Sequence, residues 1–382
     1  MEGGAVSTAP ILAPEGALDM RKTGILAASV VLSLAISIAG LRGHGTGPAL
    51  AGGFRAIRVA SGLASPVGFT FTPGGRLVYL ERHTGWLRFR NLQTDVDDRV
   101  HRVLGVNSDG ERGALGVAVH PSWPAKPFVY VFVTRNTTKG LRNEVLRIKV
   151  ENDDGVGVKR LLSVAAGPAS NHNGGRIAFG PDGKLYVVIG DNAQPSNSQD
   201  RTGNLRGKIL RVNPDGSIPP KNPSGSRIWA YGIRNSIGFA FDPRNGRLWE
   251  SENGPGCNDE VNRIVRGGNH AWGPSESCPE TNNSGPTPRI KPKHTFVNTV
   301  GLTGLAFCAR CGLGSAFHGD LVVGAVNDGR IRRFDLNANR TGFDAGPVLV
   351  LDRPGPVLSV EVAPNGRIFF SDFDSIYRLA PA

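Results

Sequence analysis

The chain has 382 residues, and its 52 glycines and 27 prolines are spread along its whole length. That spread excludes a collagen-like repeat and favours many short strands and turns over disorder. The net charge of +12 comes from basic residues that are scattered among acids, which argues against a dedicated nucleic-acid surface but leaves room for an anionic ligand. Since no long amphipathic helical pattern follows residue 45, we predict an all-β protein.

The N-terminal region is predicted to direct export. Residues 1–19 show no structural pattern, and residues 20–51 begin with Met-Arg-Lys and continue into an uncharged apolar run from Thr23 to Leu41. A basic start, an apolar core and small residues after it are typical of a signal peptide or an N-terminal anchor. We therefore expect a secreted or cell-surface protein, with membrane contact only through that anchor.

From residue 54 onward, a hairpin pattern recurs six times. The clearest copy runs from Gly175 to Ile189, where alternation on both sides of a Pro-Asp-Gly turn predicts a β-hairpin. Each hairpin is followed by a third short strand with a basic residue near its middle. These third strands are Gly85–Phe89, Glu144–Ile148, Gly207–Arg211, Glu260–Ile264, Gly329–Arg333 and Ser375–Arg378.

Six like sheets predict a closed ring. A sheet of three or four strands cannot bury both faces alone, and radial stacking of six copies gives a six-bladed β-propeller over residues 52–382. The opening strand, Phe54–Val59, is expected to complete the blade that carries the C-terminal strand. The longest insertions, Pro195–Asn204 and Gly267–Thr299, are candidates for the functional face.

Four cysteines agree with an oxidising compartment. Cys257, Cys278, Cys308 and Cys311 allow three disulfide pairings. We prefer the local one, in which Cys257 pairs with Cys278 and Cys308 with Cys311. The alternative is a four-cysteine zinc site, which the spacing disfavours because Cys257 and Cys278 do not form a second close pair.

A polar cluster precedes the clearest hairpin. His172 lies between Asn171 and Asn173, directly before the glycines that open the strand. Such a position places a histidine at a rim where side chains converge. The alternative is an ordinary hydrogen-bonded loop histidine, and the residues alone do not choose between the two.

Five motifs in order resemble one known family. They are NHNGGRIAFGPDGKLYVVIGDN, GKILRVNPDGSIP, YGIRN, GFAFDPRNGRLWESENGP and DEVNRIVRGGN. Together they resemble the soluble quinoprotein glucose and aldose sugar dehydrogenases, the glucose/sorbosone dehydrogenase family, over about residues 54–380. The resemblance implies a six-bladed propeller that carries pyrroloquinoline quinone (PQQ) over a calcium ion at its mouth, with a sugar substrate and an external electron acceptor.

The resemblance also implies roles for particular residues. His172 matches the histidine that removes the proton from the anomeric hydroxyl, which requires a neutral imidazole. Arg234 and Asn235 match the pair that contacts the quinone, where a guanidinium suits developing negative charge; the alternative for Arg234 is a structural ion pair. Gly254 and Pro255 match the carbonyl pair that holds the functional calcium.

Three further positions follow from the same resemblance. Glu260 and the backbone of His270 match a second calcium site with a structural role. Glu111 lies where family members often carry glutamine near the cofactor. A carboxylate there would repel an anionic quinone, so the alternative for Glu111 is a solvated loop acid.

The late blades depart from the family pattern. Asn327 lies near the position of a lysine that holds the quinone, and Pro356–Ser359 lies where a pair of arginines is expected. Loss of three charge-assisted hydrogen bonds would weaken binding by roughly 10³- to 10⁶-fold. Four arginines nearby could substitute for them: Arg330, Arg332, Arg333 and Arg353.

Three functions are therefore consistent with the sequence. The first is an exported, PQQ- and calcium-dependent dehydrogenase that oxidises an aldose or related polyol at its anomeric hydroxyl. The second is a non-catalytic cell-surface propeller that binds carbohydrate or protein. The third is a calcium-dependent, lactonase-like hydrolase in which His172 and Glu111 activate water.

Overall fold

The structure is a computed structural model that describes residues 53–273, 278 and 282–382. The predicted N-terminal extension (1–19) and signal or anchor segment (20–51) lie outside those residues and stay predictions. Within the described ranges, the molecule has no helix long and apolar enough to cross a membrane.

The described chain folds into short strands with very little helix, as the composition predicts. The first strand and blades one to three contain β1 Phe54–Ala60, β2 Gly68–Phe71, β3 Leu77–Leu80, β4 Trp86–Arg90, β5 Asp97–Arg102, β6 Ala114–Val119, β7 Phe128–Thr137, β8 Gly140–Glu151, β9 Asp154–Ala165, β10 Gly174–Phe179, β11 Leu185–Ile189, α1 Ser196–Gln199, β12 Lys208–Val212 and β13 Ile228–Tyr231. Blades four to six contain β14 Ser236–Phe241, β15 Leu248–Glu252, β16 Cys257–Arg263, β17 His294–Asn298, β18 Leu302–Phe307, β19 Leu321–Ala325, β20 Arg330–Phe334, β21 Val348–Asp352, β22 Ser359–Val362, β23 Ile368–Ser371 and β24 Ile376–Pro381. Single 3-10 turns lie at Pro223–Gly225 and Ser315–Phe317.

These strands form six four-stranded antiparallel sheets, which confirms the six-bladed propeller. Five sheets use four consecutive strands, and the sixth has the order β1-β24-β23-β22. The first strand of each blade contacts the first strand of the next, and β2 contacts β22, so the ring is closed. The pairing of β1 with β24 confirms that the opening strand completes the C-terminal blade.

A glycine near the start of the first strand lets neighbouring blades approach closely at the ring axis. A Cβ atom on Gly116 of β6 would overlap the backbone of Gly175 in β10, and one on Gly238 of β14 would overlap Thr303 and Gly304 in β18. Because like positions meet, the first strands run in the same direction around the axis. The recurrent glycine of the sequence pattern is therefore required by packing.

The hydrophobic core is divided among the six interfaces between blades. One cluster joins blades one and two through Val78, Phe89 and Val131, and another joins blades five and six through Val322, Ile331 and Phe370. The remaining interfaces have equivalent clusters. Each sheet thus buries both faces against its neighbours, which is why a single blade could not be stable alone.

Both disulfides of the preferred pairing are formed. Cys257 is bonded to Cys278 and Cys308 to Cys311, with Cα atoms 6.1 and 4.9 Å apart. The zinc alternative is therefore wrong, because all four sulfur atoms are used. The first disulfide ties the start of β16 to the chain beyond Trp272.

Candidate active site

The residues predicted for the site come together at one end of the ring, which we call the mouth. His172 precedes β10, and Arg234 and Asn235 precede β14, while Gly254 follows β15. Glu111 lies on the segment before β6. Since the first strands run in parallel and the second strands return, segments before the first and after the second strand meet at the same end.

His172 forms a buried pair with a carboxylate. It is 8% exposed, its φ is +56°, and its Nδ1 lies 2.8 Å from Oδ1 of the fully buried Asp191. The same Oδ1 accepts the backbone N–H of Ala193 at 2.8 Å, and Oδ2 accepts the indole N–H of Trp272 at 2.7 Å. Because an ionised carboxylate only accepts, His172 carries its proton on Nδ1 and keeps Nε2 as a proton acceptor.

Asp191 and Trp272 were not predicted as site residues. Asp191 lies two residues after the fully buried strand β11 and forms a visible polar pair with Asn192 in the sequence. That position was the available signal, since a charged residue at the end of a buried strand needs a partner. Trp272 gave no signal, because its contact with Asp191 spans 81 residues of sequence.

Glu111 connects three blades at the mouth. Its Oε2 accepts the backbone N–H of His172 at 2.7 Å and the side-chain amide of Asn235 at 3.0 Å. The amide oxygen of Asn235 in turn faces the N–H of Gly174 at 3.4 Å. The carboxylate is thus a positioning group that fixes the loop of His172 against blade four.

Arg234 is a guanidinium without a carboxylate bound to it. Its Nη1 donates to the carbonyl of Asn253 at 2.7 Å, and its Cζ lies 5.2 Å from the ring centre of Trp272. Among the described residues it forms no ion pair, and its buried Nε has no hydrogen-bond partner. Burial lowers the pKa of this guanidinium, while the more distant Asp191 and Glu252 oppose that shift. An anionic or oxygen-bearing ligand would satisfy the group.

Next to Arg234 lies a small cavity of about 10 Å³ lined by oxygen-bearing residues. Its walls include Gly254, Pro255, Glu252 and Glu260. The turn at Gly254 is fixed because its N–H donates to Oδ1 of Asp259 at 2.9 Å. A cavity of this size holds a single ion or water, and its oxygen-rich lining suits a hard cation.

Three glutamates of this region are buried. Glu252 of β15 is paired with Glu260 of β16, and Glu250 is paired with Asn262, whose amide donates to Glu250 at 3.0 Å and to Glu260 at 3.1 Å. Burial raises the pKa of Glu250 to about 7 and that of Glu260 to about 8. The pKa of Glu252 is raised by burial and by both neighbouring glutamates. In the described part of the chain, His, Cys, Asp and Glu side chains do not by themselves form a group of three that could hold a metal, so a metal here would also need carbonyl ligands.

His270 lies in the core beneath this region. It is 2% exposed, and neither ring nitrogen has a hydrogen-bond partner in the part of the chain that the structure describes. Burial, with Lys293 and Arg263 nearby, lowers the pKa of the imidazole to about 3. The ring is therefore neutral. The role of the His270 backbone in a second metal site, which the family resemblance implies, stays a prediction.

In the late blades, all of whose residues the structure describes, the positions expected for the cationic clamp hold Asn327 and Pro356–Ser359 and no cation. Asn327 is exposed, and Ser359 is fully buried, where its hydroxyl accepts a hydrogen bond from Arg176 at 2.9 Å. The four arginines considered as substitutes are all in ion pairs with aspartates. The pairs are Arg330 with Asp352, Arg332 with Asp328, Arg333 with Asp320 and Arg353 with Asp372.

Comparison with known proteins gives consistent results. Residues 63–376 match the family model described as Glucose / Sorbosone dehydrogenase. Quinoprotein glucose dehydrogenase B of Acinetobacter calcoaceticus is 34% identical over 245 residues, covering 56% of this chain and 51% of that protein. An aldose sugar dehydrogenase of Escherichia coli is 26% identical over 325 residues, covering 80% and 86%. The chain thus spans about half of the first relative.

The fold also matches solved structures. The PQQ-bound form of an aldose sugar dehydrogenase from Streptomyces coelicolor superposes with a TM-score of 0.74 at 28% identity. That match covers 87% of this chain and 99% of the other. The likeness therefore extends over the whole propeller.

Proposed function

Because the chain belongs to the glucose/sorbosone dehydrogenase family, we propose that it is a sugar dehydrogenase that uses PQQ and calcium to oxidise an aldose, or a related polyol, at its anomeric hydroxyl. One observation carries the proposal. The pair of His172 and Asp191 leaves Nε2 of the imidazole as the proton acceptor, and Trp272, the second partner of Asp191, packs against the guanidinium of Arg234, which forms no ion pair among the described residues.

His172 is the general base in this proposal. Its Nε2 accepts the proton of the anomeric hydroxyl, while Nδ1–H stays bonded to Asp191. The carboxylate fixes the tautomer and stabilises the imidazolium that forms. Glu111 accepts a hydrogen bond from the backbone N–H of His172 and thereby fixes the position of the imidazole at the mouth of the propeller.

Arg234 and Asn235 would hold the quinone. Their donors suit an oxygen on which negative charge builds, and the ring of Trp272 and the carbonyl of Asn253 fix the guanidinium before any ligand binds. When bound, PQQ supplies the two-electron acceptor for the hydride that leaves the anomeric carbon. The proposal also includes an external electron acceptor as a partner of the protein.

The cavity beside Arg234 fits calcium. Gly254 and Pro255 offer carbonyl oxygens to the functional ion, and Glu252 lines the same cavity. Glu260 and the backbone of His270 would serve a second, structural ion. Oxygen donors of this mixed kind are those that calcium prefers.

Export fits this chemistry. The two disulfides are stable in an oxidising compartment, and the predicted signal or anchor segment would deliver the chain there. We therefore place the protein outside the cytoplasm, secreted or at the cell surface.

The experiment is dye-linked oxidation by the full chain with calcium and PQQ across a panel of aldoses and polyols. We expect turnover, and we expect His172→Ala to lower kcat by at least about 10²-fold because the base is lost. His318→Ala removes an exposed histidine of blade five and serves as the matched control. Absence of turnover in protein that binds PQQ by calorimetry would contradict the proposal.

One observation favours a second candidate, a non-catalytic surface propeller. The late-blade arginines are in ion pairs with aspartates, so an anionic cofactor meets few free cations there. Under this candidate, calcium raises the Tm and PQQ adds no further shift. A PQQ-dependent rise in Tm excludes it, because any ligand of the native state stabilises that state.

A further inference from the structure

A buried lysine holds the segment that follows Asp191. Lys208 is 0% exposed, and its ammonium donates to the carbonyls of Asn197 at 2.6 Å, Ser198 at 3.1 Å and Arg206 at 2.7 Å. In the described structure no carboxylate is paired with it. Burial lowers the pKa of Lys208 to about 7, while the nearby Asp200 and Asp191 oppose that shift. The charge is costly to bury, and the three carbonyl contacts offset part of that cost.

The held segment contacts the base pair and its surroundings through consecutive residues. The side-chain amide of Asn197 donates to the backbone carbonyl of Asp191 at 2.8 Å. The hydroxyl of Ser198 donates to the carbonyl of Ile233, the residue before Arg234, at 2.6 Å. These two contacts fix Asp191 and the start of the Arg234 segment against one short turn.

A third contact fixes the other partner of Asp191. The amide of Gln199 donates to the carbonyl of Trp272 at 2.5 Å and to the side chain of Asn269 at 2.9 Å. Trp272 is the residue whose indole N–H binds Asp191, and its ring lies beneath Arg234. The turn at Asn197–Gln199 therefore sets the distance between Asp191 and Trp272.

We propose that Lys208 is a positioning residue for the His172–Asp191 pair. By binding both carbonyls of the Asn197–Ser198 turn, it keeps Asp191 and Trp272 in the geometry that holds His172 with its proton on Nδ1. Lys208 itself contacts neither His172 nor Asp191 by hydrogen bond, so it acts through the turn. The inference rests on the proposed function only in the kinetic part of its test.

The test uses Lys208→Met in the full chain, which keeps side-chain length and removes the three donors. We expect kcat to fall about 10- to 100-fold with KM for the sugar changed less than about threefold, because orientation of the base is lost and sugar binding is not. In ¹⁵N-histidine NMR of the same protein, the His172 signals should move from the Nδ1-protonated tautomer toward a mixture. His172→Gln identifies those signals among the eight histidines.

A second variant keeps the test decisive if Lys208→Met does not fold. Asn197→Ala removes the donor to Asp191 and leaves the three lysine contacts, which use backbone carbonyls. It should shift the His172 signals in the same direction. Asn213→Ala removes a donor to Ser217 in an exposed turn and is the matched control. It should change neither kcat nor the His172 signals.

The outcomes separate the two proposals. Folded Lys208→Met and Asn197→Ala with wild-type His172 signals would overturn the positioning role, whatever the activity. Absence of turnover in the wild type together with shifted His172 signals in the variants would overturn the proposed function and support the role of Lys208.

Discussion

At the scale of single residues, the partner at Nδ1 decides what His172 can do. An imidazole acts as a base through one nitrogen only if the other nitrogen holds the proton. Asp191 secures that arrangement, and its second oxygen is bound by Trp272, so the carboxylate cannot turn away. The reactivity of the histidine is thus set by Asp191, from another loop of the same blade, and by Trp272, from blade four.

Asp191→Asn tests this arrangement. An amide presents one acceptor and one NH₂ group, so it cannot accept from both His172 and Trp272 in the places where the carboxylate does. We expect the histidine to take the other tautomer and kcat to fall about 10²- to 10⁴-fold. Steady-state kinetics, with circular dichroism to confirm folding, measure the effect.

Trp272→Phe is the companion variant. It removes the indole N–H and keeps an aromatic ring beneath Arg234, so the loss in kcat should be below about tenfold. Asp191→Asn with kcat within threefold of the wild type would show that the carboxylate is not part of the base.

The sequence predicted those site residues whose local sequence context is distinctive. His172 is framed by asparagines and glycines, and Arg234 and Asn235 end a short glycine-containing segment before a strand. Asp191 and Lys208 acquire their roles through contacts within blade three that the strand pattern does not display, and Trp272 acquires its role only when blade four packs against blade three. The roles of the predicted residues stay proposals, whereas their convergence at the mouth is a property of the structure.

At the scale of elements, the pair β15 and β16 concentrates acid in the core. Alternation places Glu250 and Glu252 on one face of β15, opposite Asn262 and Glu260 of β16. With Asp259 on the other face of β16, the hairpin has four buried carboxyls, which is unfavourable unless protons, cations or hydrogen bonds compensate them. The sequence LWESE…DEVN contained this pattern, since acids two residues apart in a buried strand share a face.

We predict that this hairpin makes the calcium-free protein less stable at high pH. The folded-state pKa values of Glu250 and Glu260 are raised to about 7 and about 8, above the unfolded value near 4.5. The folded state then binds more protons, so this stabilisation is complete below about pH 4.5 and is lost as the pH rises through 8. Urea unfolding in EDTA should show that the free energy of unfolding is lower at pH 8.5 than at pH 5 by several kcal/mol, on the order of 1.4 kcal/mol for each unit by which a pKa is raised. Calcium should remove most of this difference.

The control must allow for buried groups that make the protein more stable, not less, as the pH rises. Burial lowers the pKa of His270 to about 3 and of Lys208 to about 7, so both add stability as the pH rises. The comparison is therefore Glu250→Gln against the exposed Glu151→Gln. The first should flatten the loss of stability in EDTA and the second should not; equal slopes in all three proteins would contradict the prediction.

The strands show where reading by pattern succeeds. The six hairpins and the six third strands were predicted. Successive side chains in these strands face the two neighbouring blades in turn, which makes their sequences apolar and regular. In blades one to five the fourth strand was not predicted individually, whereas the fourth strand of blade six, β1, was. In β9, for example, most of the first eight positions are exposed, so its sequence lacks the apolar alternation that marks a strand.

At the scale of the molecule, the ring is held by more than neighbouring interfaces. Arg176 of blade three donates to the hydroxyl of Ser359 and to Oε1 of Glu361, each at 2.9 Å, in the opposite blade six. The sequence predicted the closed ring, since repeat number and repeat length are local properties. It did not predict a link across the axis, because 183 residues separate Arg176 from Ser359.

Removal of this link should destabilise the whole ring. In Arg176→Met, the carboxylate of Glu361, whose side chain is 26% exposed, keeps part of its desolvation cost and loses its partner, so we expect the free energy of unfolding to fall by about 2 kcal/mol, between the values for exposed and fully buried pairs. Burial already raises the pKa of Glu361, and Arg176 opposes that rise. The double variant Arg176→Met/Glu361→Leu should recover most of the loss, because both charges are then absent. Urea unfolding of the four proteins gives the coupling between the two side chains.

An exposed pair provides the comparison for that cycle. Arg330 is bonded to Asp352 at 3.0 Å within blade five, with 44% and 35% of the two side chains exposed. Arg330→Met should cost less than about 1 kcal/mol, because solvent screens the pair. If Arg176→Met costs no more than Arg330→Met, or if the double variant loses the sum of the single losses, the contact across the axis does not stabilise the ring, and closure depends on the six blade interfaces alone.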